Sequence, residues 1–193
     1  MMAGKEKGGC LAGIMILVLL PLLSIWISAR AFTPADMSGI EGLRIGPGAV
    51  ESRDLREVMA RAGRGGVVIE EAEVNAYLRA TLFGRETGLA RFVSSFEGAC
   101  VELREDEAEI FLVRRCFGRL STVSFVLSIE DGPEGRFVRS EGSSVGRIQI
   151  PELVFQFVLD SFRRMAGVYE EELRLIQGAN VLKIREGHMI IGN

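Results

Sequence analysis

Residues 8–29 carry no charged side chain, with Lys5 and Lys7 before them and Arg30 after them. A run of that length predicts a helix able to cross the hydrocarbon core of a bilayer, with every backbone polar group satisfied internally. Beyond it the hydrophobic period changes twice. In 51–62, Leu55, Val58, Met59 and Ala62 recur at helical spacing, and the glycine-rich 63–66 ends that helix. A second helix is expected over 70–83, where Val74, Tyr77, Leu78 and Leu82 form one stripe. Glu70, Glu71 and Glu73 crowd its first turn, where the helix dipole favours negative charge.

From Phe92 onward the period is that of strands. Val123, Phe125, Leu127 and Ile129 alternate with Thr122, Ser124, Val126 and Ser128, giving one strongly apolar face. Ala99, Val101 and Leu103 also alternate, while Phe92 and Phe96 fall on the opposite parity, which places a bulge at Gly98. The run 110–113 is apolar on both faces and predicts a central or covered strand. Turn residues at 105–107 and 131–135 connect these strands closely, so the segment 92–150 is expected to be an antiparallel meander of about four strands.

Pro151 then opens a helix whose apolar side is broad, with Leu153, Val154, Phe155, Phe157, Val158, Leu159, Phe162 and Met165. Such a helix, packed on the sheet, is either buried on most sides or borders an apolar groove, for which Phe155, Phe157, Leu159 and Phe162 are the candidate lining. A short helix over 169–176 and a hairpin turning at Glu186-Gly187 close the chain. The fold class is therefore α+β. The organisation is a tail and anchor over 1–31, a linker or irregular strap over 32–50, and an α+β domain over 51–193.

Two readings exist for the N-terminal segment. Ala29-Arg30-Ala31 matches a signal-peptidase site, but the apolar stretch is longer than a cleaved signal core, so a retained anchor through residues 10–29 is expected. The lysines before it place the N-terminus in the cytoplasm and the domain outside the plasma membrane.

Charge narrows the partners. Of 23 basic and 26 acidic residues, Lys5, Lys7, Arg30 and Glu6 precede the domain, which leaves 20 basic and 25 acidic over 32–193. That excess of acid disfavours nucleic acid and broad adhesion to anionic lipid. Cys100 and Cys116 could be bridged outside the membrane, but a hairpin turning near Asp106 sets Cys116 opposite positions nearer Glu97 than Cys100. Two cysteines and the lone His188 supply no close-spaced ligand pair, so neither a metal nor another cofactor is expected.

The run Val68-Ile69-Glu70-Glu71-Ala72-Glu73-Val74-Asn75-Ala76-Tyr77-Leu78 and the segment Val145-Gly146-Arg147-Ile148-Gln149-Ile150-Pro151 resemble the YpmS-like family of bacterial membrane-anchored proteins. The resemblance covers about residues 67–165. It departs where Glu70 stands in place of Ser or Thr at the helix start. What it implies is placement and shape, an extracytoplasmic domain on a single anchor in the bacterial plasma membrane, with no catalytic residues to carry over. A long curved sheet wrapping a helix is also the layout of tubular lipid-binding and envelope lipid-transfer proteins, an analogy at the level of fold.

One enzymatic motif must be weighed. Gly142-Ser143-Ser144-Val145-Gly146 satisfies G-x-S-x-G, with Asp160 and His188 following in hydrolase order. A nucleophile elbow needs a buried strand before the serine and a helix straight after it, and here the flanks are polar and extended. A bend between strands fits better, leaving a serine hydrolase using Ser144 as the remote alternative. The acids Glu102, Glu105, Asp106, Glu107 and Glu109 lack the ligand order of a calcium loop and fit a charged hairpin tip. Arg114 and Arg115, with Arg119, are candidates for contact with a lipid phosphate or an acidic partner. The expected function is non-catalytic: a membrane-anchored binding or assembly module of the cell envelope, holding a lipid or apolar ligand between sheet and helix 151–167. The alternative is a protein–protein scaffold with no small ligand.

Overall fold

A computed structural model describes residues 7–44, 52–62, 66–82, 94–132, 135–151 and 167–192. The chain is α+β. Among the described residues the helices are α1 (Lys7–Ala31), α2 (Leu55–Ala60), α3 (Glu71–Leu82) and α4 (Glu170–Gly178), the last entered through a 3-10 turn, Gly167–Tyr169. Its strands are β1 (Val67–Glu70), β2 (Ser94–Arg104), β3 (Glu107–Cys116), β4 (Arg119–Gly132), β5 (Gly135–Val145), β6 (Ile148–Gln149), β7 (Val181–Arg185) and β8 (His188–Gly192). The strands β2 to β6 form one antiparallel meander in chain order, and β1, β8 and β7 form a second sheet in that order.

The meander has the expected central strand. β3 lies between β2 and β4, and Phe111, Leu112 and Val113 are buried on it. The register shifts between Phe96 and Gly98, the bulge that the parity change predicts. The sheet has five strands instead of about four, because the two residues of β6 turn back on β5 after Gly146. The strand β1 is a further difference. Val68 and Ile69, just before the expected helix 70–83, pair with Ile190 and Met189 of β8, leaving Val68 exposed and Ile69 buried. Four residues are too few to show a period, and the partner lies far along the chain.

Two apolar layers cover the meander. On one face, Val101, Leu103, Ala108, Ile110 and Ile129 pack with Val74 and Leu78 of α3 and with Ile184 of β7. On the other, Cys100 and Phe111 meet Ile40, with Ala35, Met37 and Leu43 beside it. The segment 32–44 thus lies across the sheet as a packed strap. A separate cluster joins Leu55, Val58 and Met59 of α2 to Ile69, Tyr77, Leu182 and Ile191. Of the helix 151–167 expected from sequence, residues 152–166, with Phe155, Phe157, Leu159 and Phe162, lie outside the described residues.

Helix α1 is 25 residues long and apolar on successive positions, with Met15, Leu17, Val18, Leu19, Leu20, Leu22, Leu23, Ile25, Trp26 and Ile27 all exposed. Among the described residues no helix is long and apolar enough to cross a membrane.

The last carbonyls of a helix have no intrahelical donor and must find others. Those of α1 are shared between the residues just after it and the sheet: the Ser28 carbonyl accepts from the Phe32 amide at 3.0 Å and the Ala29 carbonyl from Thr33 Oγ1 at 2.7 Å. The Arg30 carbonyl accepts from the Arg147 and Thr33 amides, both at 3.2 Å, and the Ala31 carbonyl accepts from Ser121 Oγ at 3.1 Å. Gly146 makes this approach feasible: a Cβ there would lie 2.4, 2.6 and 2.7 Å from the carbonyl oxygens of Ala31, Arg30 and Thr33. Its φ of +57° also favours glycine.

Two tight turns bracket β3. In the turn between β2 and β3, Asp106 takes φ of 60°, which Asp tolerates. Between β3 and β4 the chain turns on Phe117 and Gly118, at φ of 50° and 78°. The glycine suits that geometry, but a bulky L-residue there costs about 1–2 kcal/mol. Phe117 is also 80% exposed, so among the described residues no burial offsets that cost.

Candidate functional site: a polar clip on the sheet edge

Helix α3 starts with half of a capping box, in which Glu73 accepts the Glu70 amide at 3.3 Å. Glu71 and Asn75 are then one turn apart and share a face. That face meets β2, the edge strand of the meander. In β2, Glu102 and Arg104 pair with Glu109 and Glu107 of β3, while the backbone groups of Val101 and Leu103 point off the edge. Such groups are costly if buried unpaired.

Each is matched. Asn75 Oδ1 accepts the Val101 amide at 2.7 Å, and its Nδ2 donates to the Val101 carbonyl at 3.0 Å. Glu71 Oε2 accepts the Leu103 amide at 2.6 Å, and the Leu103 carbonyl accepts from Gly187 of the β7–β8 turn at 3.0 Å. Two side chains of α3 therefore stand in for a missing neighbour strand. They also hold the strap: Glu71 Oε1 accepts the Glu41 amide at 2.7 Å, and Asn75 Nδ2 donates to the Glu41 carbonyl at 2.8 Å. Both side chains are buried. Beside them lies a cleft of about 400 Å³ bordered by Glu41, Glu71, Glu102 and Glu186, with Arg104 as the opposing cation.

A second polar cluster joins the helices. Tyr77 donates its hydroxyl to Glu172 Oε1 of α4, and Arg56 Nε of α2 reaches the same oxygen at 3.0 Å and the Tyr77 oxygen at 3.2 Å. Burial raises the Tyr77 phenol above its usual range, helped by Glu172 and opposed by Arg56. The Tyr77 hydrogen bond, then Glu171, raise the Arg56 guanidinium in turn. Glu172 Oε2 is buried without a hydrogen-bond partner among the described residues. Glu71, Asn75 and Tyr77 are the Glu-x-x-x-Asn-x-Tyr run visible in the sequence, and all three are committed to joining elements.

The residues singled out from sequence fall elsewhere. Arg114 and Arg115 are consecutive in β3 and so point to opposite faces, which prevents a single cationic patch. Arg115 Nε is 2.9 Å from Glu97 Oε1, and that contact, with Ser95, holds the Glu97 carboxyl below its ordinary range. Ser144 lies within β5, with its Oγ 2.8 Å from Ser124 Oγ, which donates to Glu109 at 2.7 Å. No elbow surrounds it. His188 is in the other sheet with its Nδ1 3.1 Å from the Glu186 carbonyl, and Asp160 lies outside the described residues.

The hairpin acids are used in docking. Glu102 and Glu109 hold Arg104 at 2.6 and 3.0 Å, Glu105 pairs with Arg185, and the Asp106 amide donates to the Ile184 carbonyl at 3.2 Å. Among the described residues no group of three His, Cys, Asp or Glu is placed to hold a metal. Cys100 and Cys116 are free thiols, their strand partners being Phe111 and Ser94. Comparison with protein-family models, with curated proteins and with solved structures finds no match to this chain.

Proposed function

We propose that this chain is a single-span, non-catalytic envelope protein whose α+β domain stands on the outer face of the plasma membrane as a binding or assembly module. The observation that carries the reading is the surface of α1. Its exposed apolar side chains from Leu17 to Ile27 occupy successive positions, so they point in every direction around the helix. A helix apolar on all sides suits lipid better than one protein face. Its domain end carries interfacial residues, with the Arg30 guanidinium 5.4 Å from the Trp26 ring. Lys5 and Lys7 support a cytoplasmic N-terminus.

The non-catalytic part of the reading is supported by where the polar groups go. The best-built polar clusters stitch strap, sheet and helices, and Ser144 lies in a strand. The apolar run with Phe155, Phe157, Leu159 and Phe162 is the candidate contact for a lipid or an envelope protein. Protease added to intact spheroplasts carrying the full chain tests the topology. The domain is expected to be digested while an N-terminal tag survives inside. Protection of the domain would overturn the orientation, and a mature N-terminus at Phe32 would show that the anchor is removed.

A further inference from the structure

The chain leaves α1 at Ser121, Thr122 and Gly146, where the Ala35 amide donates to Thr122 Oγ1 at 2.9 Å and the Gly146 amide donates to the Thr122 carbonyl at 2.7 Å. It then runs away from that end: Ile40 packs on Phe111, and Glu41 is bonded to Glu71, which holds Leu103 near the opposite turn. The α1 end of the sheet is thus the end bearing the β3–β4 turn. Phe117 stands four residues from Ser121, about 14 Å along an extended strand. The headgroup layer on each side of a bilayer is about 5–8 Å thick, so a hairpin starting where the span ends is within its reach.

At that tip, Phe117 is 80% exposed and sits at a positive φ where a type I′ turn favours Asn or Gly. Strain and exposure at one residue, with no compensation among the described residues, point to a use outside the fold. Exposed cations near the junction and the tip include Arg30, Arg119 and Arg147, with Asp36 facing Arg147, while the exposed Arg115 is paired with Glu97.

Resting on the reading of α1 as a span, we infer that Phe117 at the β3–β4 tip inserts into the interface of the same bilayer, with Arg119 and Arg147 toward lipid phosphates. The junction at Gly146 sets the depth and prevents the domain from swinging on its anchor. An aromatic ring is suited to the boundary between acyl chains and headgroups.

Tryptophan fluorescence of the full chain in vesicles of phosphatidylcholine and phosphatidylglycerol decides it. The parent has one tryptophan, Trp26, which reports the span. The double variant Trp26→Phe, Phe117→Trp moves that single reporter to the tip. Both chains are expected to lose most of their emission when the lipids are brominated on the acyl chain near the headgroup. Quenching of the parent with none at position 117, and free access of acrylamide there, would overturn the inference and leave the span standing. A reporter at 117 shielded from both quenchers would also overturn it, since protein, a second copy included, would then cover the tip. If Trp26 itself is unquenched, the span reading fails and the inference falls with it.

Discussion

Replacing Asn75 by Ala tests whether the clip holds the sheet edge. The substitution removes three hydrogen bonds, at 2.7, 3.0 and 2.8 Å, and leaves the Val101 amide, the Val101 carbonyl and the Glu41 carbonyl without the partner they have now. At about 1 kcal/mol net for each bond the loss is about 3 kcal/mol, and desolvation of the orphaned groups raises it toward about 5 kcal/mol. Helix propensity works the other way by less than about 1 kcal/mol, since Ala is the better helix former. The change is read from urea titration of the full chain in mild detergent, followed by far-UV circular dichroism, with the slope checked for constancy. Amide exchange at Val101 supplies a local readout, because that proton is bonded to Asn75 alone in the clip. A loss below about 1 kcal/mol with an unchanged slope, and a Val101 amide still protected, would refute the assignment of Asn75 as a strand substitute.

Further outcomes follow from the same geometry. Gly146→Ala puts a Cβ 2.4 Å from the Ala31 carbonyl oxygen, so the end of α1 is expected to separate from the sheet; trypsin cleavage after Arg30 should become much faster, and an unchanged rate would refute the junction. Burial, then the carboxylates of Glu71 and Glu102, push the Cys100 thiol up to about 12, so native protein should leave it unalkylated under conditions that label Cys116. An unfolded thiol ionises near pH 8.5, so the folded chain binds the extra proton between about 8.5 and about 12; stability falls as pH rises through that window, by up to about 1.4 kcal/mol per pH unit for this group. Cys100→Ala should remove that share of the slope, and an identical pH dependence of the urea midpoint in both chains would refute it. Tyr77→Phe leaves the buried Glu172 carboxylate one donor short, and a loss of about 1–3 kcal/mol is expected, measured by the same titration.

The clip also explains how the Val101–Leu103 part of the 11-residue edge strand β2 is kept from pairing with other chains. Edges are usually blunted by charge, bulges or cover. Here the blunting is done by two buried side chains at Val101 and Leu103, and by the β7–β8 turn. Glu71 would conventionally serve the helix dipole, yet both of its oxygens accept amides from other elements.

The amino-acid sequence by itself determined whatever depends on local period and turn chemistry. The alternation of Val123, Phe125, Leu127 and Ile129 marks β4, the spacing of Leu55, Val58 and Met59 marks α2, the parity change at Gly98 marks the bulge, and Gly187 marks the last hairpin. These are readable because the side chains of one face recur every 2 or about 3.6 residues whatever they meet; in β4 the period marks the strand, while the most deeply buried positions are Thr122 and Ser124 of the opposite face. The opposite orientation of Arg114 and Arg115 belongs with them, since alternation in a strand requires it. Only the tertiary structure decided what the polar groups meet. Asn75 finds Val101 across 26 residues, Glu71 finds Leu103 across 32, and Gly146 lies against carbonyls more than 100 residues earlier in the chain. A carboxylate or amide is equally well satisfied by water, a helix end or a distant backbone group, so its residue type carries no address. The address is supplied when helix and strap pack across the sheet, exclude water from its edge, and leave each exposed amide with a single partner in reach.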